Sequence, residues 1–162
     1  MGNIGNHILC GEKQMVKAKK TKRPSSDNKS AARLLAVQAL YQISLTQKKY
    51  EYVLKEFVAF RIEKRKVDVK LFKMILVGVS KDGKNIDKKI SALIKDDWNM
   101  GRIEPVVLSI LRSGIFELGE QKDSLKKVII NEYINIAHSF FNGKEPAFIN
   151  AILDKVTKEK KA

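Results

Sequence analysis

Apolar residues recur at intervals of three and four along most of the chain, from Leu34 to Val156. This spacing is typical of amphipathic α-helices, and no segment alternates as a half-buried strand would. Asp82-Gly83 is a residue pair found in hairpin turns, but it lies between two helical patterns. The sequence therefore predicts an all-α fold of seven helices, whose apolar positions run from Leu34 to Leu45, Tyr50 to Phe60, Leu71 to Val79, Ile86 to Ile94, Val107 to Leu118, Tyr133 to Phe141 and Phe148 to Val156.

Several helix ends are indicated by residues that favour a start or a stop. Ser30 is a preferred N-cap type and stands just before the first apolar pattern. Pro105 and Pro146 suit a first helical turn, because the missing amide proton of proline would have no partner there. Asn142-Gly143 readily leaves the helical conformation, so we expect the turn between the last two helices at this pair.

The first 29 residues differ in composition from the rest of the chain. They hold seven Lys and Arg against two acidic residues, and Pro24 to Asn28 is a run unfavourable to helices. Met15 would make a normal start, so whether residues 1–14 are native is left open. A chain of 162 residues, 44% of them hydrophobic, suffices for one buried core. We expect a flexible basic tail at 1–29 and one helical domain at 30–162.

The charge of the chain favours a polyanionic partner. The formal net charge is +14, and phosphate neutralisation by Lys and Arg releases condensed counterions. RNA, DNA and an anionic membrane are each suitable partners for this charge. A Lys-rich surface that only keeps the protein in solution would explain the charge as well. For the basic residues 17–23, an arm that adds affinity for RNA and a solvated tail are equally open.

The residue inventory offers little for catalysis. Cys10 is the single cysteine, which excludes an internal disulfide and fits a reducing, cytoplasmic setting. The two histidines, His7 and His138, stand in no metal-ligand spacing, and no glycine-rich phosphate loop occurs. No apolar run reaches the roughly 20 residues that span a bilayer. We expect no enzyme, no cofactor, no metal and no membrane partner.

Binding chemistry is better represented, at the turn between the last two predicted helices. Unpaired RNA is recognised by aromatic planes that stack on bases, cations that hold phosphates and amides that read base edges. Phe140, Phe141 and Phe148 also fit core positions, and we favour the core for Phe141. The candidate RNA-binding residues at this turn are His138, Phe140, Asn142, Lys144 and Phe148.

Several blocks of the chain resemble the NusB family of bacterial transcription antitermination factors. They are ARLLAVQALYQ at 32–42, DWNMGRI at 97–103 followed by Pro105-Val106, and NEYINIAHSFFNGKEPAFINAILDK at 131–155. The resemblance covers most of residues 30–159 and implies two packed helical subdomains. It also implies binding of boxA RNA, of the ribosomal protein NusE, of other Nus factors and of the RNA polymerase elongation complex. Some members of the family form homodimers, and the oligomeric state of this chain is left open.

The resemblance implies further contact residues. Lys29 and Arg33 match basic positions at the start of the first helix, and Gln38 and Tyr41 lie in its matched block. Three departures remove charges that are common in the family, at Ser30, Ala31 and Ala147. For NusE the implied contacts are Tyr41, Glu117 and the pair Val107-Leu108, which replaces an acidic and a basic residue. The pair equally fits an extension of the core, and Tyr41 equally fits a buried phenol.

The sequence thus favours a non-enzymatic factor that binds boxA-like single-stranded RNA with NusE and promotes readthrough during ribosomal RNA transcription. Two alternatives remain. One is an accessory domain of an rRNA methyltransferase, although the chain leaves no room for a cofactor-binding sheet. The other is a protein-binding scaffold with weakened RNA affinity.

Overall fold

Six α-helices form the fold of this computed structural model, which describes residues 24–63, 65–94 and 100–161. We number them α1 to α6: α1 Pro24–Thr46, α2 Tyr50–Phe57, α3 Val69–Leu93, α4 Pro105–Glu120, α5 Lys126–Phe140 and α6 Glu145–Lys161. A π-helical turn, Val58–Ile62, follows α2, and short 3-10 turns precede α4 and α5 at Met100–Arg102 and Asp123–Leu125. The described residues contain no strand, so the predicted all-α class is confirmed.

The helices pack in two groups around one hydrophobic core. Helices α1, α2 and α3 contact one another, as do α4, α5 and α6. Helix α4 joins the groups, because it also packs against α1 and α3. Arg112 on α4 forms a bidentate ion pair with Asp87 on α3, in which Arg112 Nε lies 2.8 Å from Asp87 Oδ1. Helix α1 contacts α2, α3, α4 and α5 and is buried on most of its faces, as its apolar circumference predicts.

The predicted count of seven helices is wrong, because the third and fourth are one continuous helix. Helix α3 runs through Gly83, whose backbone is helical and whose missing Cβ faces open space. Glycine costs a helix interior about 1 kcal/mol relative to alanine. Val79 and Ile86 are buried on either side of it, and their packing outweighs that cost.

Two other local predictions are wrong. Helix α1 begins at Pro24, so the residues from Pro24 to Asn28 are helical and Ser30 is no N-cap. Phe60 is 80% exposed and does not belong to the core. The π-helical turn at Val58–Ile62 explains this second error, because an i to i+5 hydrogen-bond pattern rotates Phe60 away from the face of Phe57.

The other predicted helix ends agree with the structure. Pro105 opens α4, and α6 starts at Glu145, directly before Pro146. The chain leaves the helical conformation between α5 and α6, at the expected Asn142-Gly143 pair. Helix α3 has a capping residue that the sequence pattern did not predict: the Asp68 carboxylate accepts a hydrogen bond of 3.0 Å from the Leu71 N–H.

The division into a tail at 1–29 and a domain at 30–162 stays a prediction. Residues 1–23 lie outside the described residues, and so does Trp98 within the 97–103 block. Along the described part of the chain, no helix is both long enough and apolar enough to cross a bilayer.

Candidate nucleic-acid interface

The first group of predicted contact residues lies at the start of α1, where charged side chains meet from three helices. Arg33 on α1 contacts Glu117 on α4 and Glu132 on α5. Its Nη2 lies 2.7 Å from Glu117 Oε2 and its Nη1 lies 3.1 Å from Glu132 Oε1. The Tyr133 hydroxyl donates a 2.8 Å hydrogen bond to Glu117 Oε1. We call Arg33, Glu117, Glu132 and Tyr133 the junction network.

Burial sets the role of this network. The Glu117 and Tyr133 side chains are fully buried, and Arg33 is only 6% exposed. The Arg33 Nε also donates to both Glu117 oxygens, at 2.8 and 3.1 Å, so the guanidinium grips the carboxylate in a fork. Both side chains are thus engaged with each other in the junction between helices, and the RNA contact of Arg33 and the partner contact of Glu117 stay predictions.

The electrostatics of the network follow from the same burial. Burial raises the pKa of the Tyr133 phenol well above its ordinary value, and the neighbouring Glu117 charge raises it further. Burial by itself lowers the pKa of the Arg33 guanidinium, but its hydrogen bond to the Glu117 carboxylate and the charge of that carboxylate outweigh this, and the net shift is upward. The network thus holds a charged pair and a neutral phenol.

A cleft of about 430 Å³ opens above the network. It lies between the start of α1, the start of α3, the end of α4 and the start of α5. Lys29 and Lys70 stand on its walls, and the Asp68 N–H donates a 3.1 Å hydrogen bond to the Asn28 carbonyl at its edge. The cleft is lined by Lys29, Arg33, Asp68, Lys70, Leu71, Met74, Glu117, Gln121, Leu125, Val128, Ile129 and Glu132. Lys29 is exposed, so it is available to a ligand.

Gln38 and Tyr41 lie on a different face of α1. At 3.6 residues per turn, Gln38 is about 180° around the helix from Lys29. Gln38 and Tyr41 instead share an arc of about 60° with Leu34 and Leu45, and we call these four residues the α1 strip. All of them are at least partly exposed, Leu45 to 59%. The structure therefore does not bring Lys29 and Gln38 together on one surface.

The second group of predicted contact residues is the turn between α5 and α6. His138, Asn142 and Lys144 are exposed, and Phe140 is 43% exposed. Phe141 packs against the core, as predicted, and its ring centroid lies 6.4 Å from that of Phe140. The predicted base-stacking, phosphate and amide groups are thus all exposed at or beside this turn.

Phe148 and the predicted NusE contacts are more enclosed. Phe148 is half-buried against the core. Val107 is 4% exposed and Leu108 is half-buried, which agrees with the extension of the core face, and the partner contact of Val107 stays a prediction. The remaining contact assignments, at Lys29, Gln38, Tyr41, Leu108 and the α5–α6 turn, stay predictions.

Glu132 relates the two groups of predicted RNA contacts. It accepts a 2.6 Å hydrogen bond from the Ser30 hydroxyl on α1, and it lies on α5, six residues before His138. Six residues of helix correspond to a rise of about 9 Å. Glu132 and His138 are thus less than two turns apart along the axis of α5 and about 120° apart around it. Among the described residues, no group of three or more His, Cys, Asp or Glu side chains is placed to hold a metal ion.

The comparison with known proteins agrees with this geometry. A family model described as the NusB family matches residues 30–158. The chain belongs to the NusB family. It is similar to a transcription antitermination protein NusB of Rhizobium leguminosarum bv. trifolii, with 38% identity over 149 residues that cover 86% of this chain and 93% of that protein. A NusB protein of Allorhizobium ampelinum is 39% identical over 142 residues, which cover 83% of this chain and 89% of that protein.

Two solved structures share the fold. NusB of T. maritima aligns with a TM-score of 0.70 and 26% identity over 80% of this chain and 90% of that one. A chain in the crystal structure of a plectonemic RNA supercoil aligns with a TM-score of 0.72 over 82% of this chain and 96% of that one, and at 21% identity it supports the fold alone. The protein is a non-enzymatic transcription antitermination protein of the NusB family.

Proposed function

We propose that this NusB protein binds boxA-like single-stranded RNA together with NusE and so helps the RNA polymerase elongation complex read through terminators in ribosomal RNA transcription. One observation supports the proposal: in a chain of this family, an aromatic ring, an amide and a cation are all exposed within the five residues from Phe140 to Lys144. These are the groups that recognise an unpaired base and its phosphate. Such a factor acts on nascent transcripts, so we place it in the cytoplasm.

Phe140 and Lys144 are the residues best suited to test RNA recognition. Base–aromatic stacking contributes about 1–3 kcal/mol per base, and each lost phosphate contact lowers the slope of log affinity against log salt by about 0.7 for a single strand. The double variant Phe140→Ala/Lys144→Gln should therefore bind a boxA oligonucleotide about tenfold or more weakly, with a smaller salt slope. Fluorescence anisotropy of the labelled RNA, over a series of salt concentrations, measures both.

A matched control comes from the α2 region. Phe60 is the most exposed aromatic ring in the described part of the chain, and Lys55 is an exposed lysine on α2, which packs against α1 and α3. Phe60→Ala/Lys55→Gln removes the same two kinds of group and should leave the RNA affinity within about twofold. Equal losses in the two variants would contradict recognition by the turn.

The α1 strip supports the NusE part of the proposal. Leu34, Tyr41 and Leu45 place apolar surface in solvent on one face of a helix that is otherwise packed, and aromatic and aliphatic anchors of this kind are common in protein interfaces. The variant Leu45→Glu should weaken NusE binding in isothermal titration calorimetry. Undiminished NusE affinity would exclude this face.

The scaffold alternative has one observation in its favour. Arg33, a basic position that the family resemblance assigned to RNA, is engaged inside the protein. If the chain binds NusE with ordinary affinity but does not distinguish boxA RNA from a scrambled sequence, the scaffold function replaces the RNA-binding one.

A further inference from the structure

Helix α3 carries a row of lysines that the sequence patterns did not single out. Lys70, Lys73, Lys81, Lys84 and Lys88 are all exposed. At 100° per residue they fall within an arc of about 80°, on the side of the helix opposite its buried face. Between Lys70 and Lys88 the helix rises by about 27 Å. We call these five residues the lysine row.

The charges of the lysine row are not neutralised within the described part of the chain. None of the five forms an ion pair with another described residue. Of the two acidic residues within α3, Asp82 lies about 100° from the edge of the row and Asp87 about 40° from it, and both have other partners. Asp82 accepts a hydrogen bond from the Asn85 amide at 2.8 Å, and Asp87 is paired with Arg112. The row therefore presents five positive charges in two groups, which are separated by about 12 Å between Lys73 and Lys81.

The row begins where the candidate RNA surface ends. Lys70 and Lys29 line the same cleft, and the hydrogen bond from the Asp68 N–H to the Asn28 carbonyl ties the start of α3 to α1. A chain of phosphates that leaves Lys29 can continue past Lys70 and along the helix, because the α3 carboxylate nearest to the row, that of Asp87, is already paired with Arg112.

We propose that the lysine row is a second RNA contact, which holds the backbone of the transcript flanking the boxA-like element. This inference rests on the proposed function and adds to it a sequence-independent track for single-stranded RNA. Lysines act as point charges on phosphates and do not read bases, so the track contributes affinity and not sequence preference.

A single-stranded RNA fits the row better than a membrane surface does. A helix that binds lipid headgroups also inserts a bulky apolar face into the bilayer, and the apolar face of α3 is buried in the protein core. The row is also narrow, and at roughly 3.4 Å per phosphate of one strand about eight phosphates can follow its length.

The test uses the full chain and three RNAs: a boxA oligonucleotide, the same element extended by about ten unrelated nucleotides on either side, and the extended RNA with the boxA element scrambled. The variant Lys81→Gln/Lys84→Gln/Lys88→Gln removes three charges far from the cleft. The control Lys48→Gln/Lys49→Gln/Lys55→Gln removes three charges from exposed lysines, two directly before α2 and one in its last turn. Circular dichroism establishes that both variants keep the helix content and melting temperature of the parent.

We expect the α3 variant to bind the extended RNA about tenfold more weakly, with a salt slope smaller by about 2, since three single-strand phosphate contacts are lost. Its affinity for the short boxA RNA should stay within about twofold. The control variant should lose less affinity, and the same amount for the short and the extended RNA, because it changes only the net charge of the protein. The proposed track would be overturned if the α3 variant lost the same affinity for the short and the extended RNA, or if its affinities matched those of the control.

The scrambled RNA separates this proposal from the proposed function. If the parent protein binds the boxA and scrambled RNAs equally, boxA recognition fails, but the track stands provided that the α3 variant still loses affinity for the extended RNAs. Binding to vesicles with anionic lipids that depends on the three lysines, with no effect on extended RNA, would overturn the assignment in favour of a membrane.

Discussion

The variant Arg33→Met offers a direct test of the junction network. Methionine keeps much of the side-chain volume and removes the charge, so Glu117 would remain fully buried with the Tyr133 hydroxyl as its last donor of the network. Removing one partner of a buried ion pair costs about 3–5 kcal/mol, because the other charge is left without compensation. For a chain of this size, each kcal/mol lowers the melting temperature by about 2–4 °C, so a drop on the order of 10 °C is expected.

Urea and thermal unfolding followed by far-ultraviolet circular dichroism measure this effect. Lys29→Met is the matched control, since it removes a charge from an exposed position one turn earlier on α1 and should change the unfolding free energy by no more than about 0.5 kcal/mol. The double variant Arg33→Met/Glu117→Gln removes both charges and keeps an acceptor for the Tyr133 hydroxyl. It should recover more than half of the loss.

Two results would refute this reasoning. If Arg33→Met changes the unfolding free energy by less than about 1 kcal/mol, the guanidinium is not part of a buried pair. If the double variant is no more stable than the single one, the two residues are not coupled.

Three further predictions concern stability. Gly83→Ala should stabilise the protein by about 0.5–1 kcal/mol, because residue 83 is helical with open space around it. Gly78→Ala should destabilise the protein by about 1–3 kcal/mol, because the new Cβ would overlap the Phe116 ring. Urea unfolding should show changes of opposite sign in the free energy of unfolding, and changes of equal sign would contradict the prediction. Asp68→Ala should cost about 1 kcal/mol by removing the α3 cap, and Asp68→Asn, which keeps an acceptor oxygen, should cost clearly less in the same assay. The folded-state pKa of Tyr133 is raised above its unfolded value of about 10, so the contribution of the neutral phenol to stability is complete below pH 10. As pH rises beyond about 10, the free energy of unfolding should fall by up to about 1.4 kcal/mol per pH unit. Tyr133→Phe should lack this slope, and identical pH profiles of the two proteins would contradict a buried phenol.

Most of the fold was predictable because amphipathic spacing is a local signal. The pattern located the apolar face of every helix, and Pro105 and Asn142-Gly143 marked ends that the structure reproduces. The errors arose where packing overrides local preference. Gly83 indicates a break, yet buried residues on both sides keep α3 continuous. The π-helical turn at Val58–Ile62 turns Phe60 outward, and no residue type in that segment indicates such a turn.

The candidate site was harder to predict, because its contacts join distant parts of the sequence. Arg33 and Glu117 are 84 positions apart, and nothing in the local pattern of either residue indicates the other. Tyr133 was assigned to an apolar stripe, and its hydroxyl contact was not foreseen. The lysine row had a sequence signal, the spacing of Lys70, Lys73, Lys81, Lys84 and Lys88. It was obscured because the predicted break at Gly83 divides the row between two helices.

Because α3 is continuous, the number of residues in it fixes how its two halves are rotated relative to each other. An insertion of a single residue near Gly83 would rotate everything beyond it by about 100° and lengthen the helix by only about 1.5 Å. Either Ile86 and Ile90 would leave the core, or the later lysines would swing out of line with Lys70 and Lys73. Insertions or deletions within α3 are therefore tolerable mainly in steps close to whole turns, such as seven residues. Among related proteins, the length of this helix should therefore differ by whole turns, while the turns at its ends should vary in length by any number of residues.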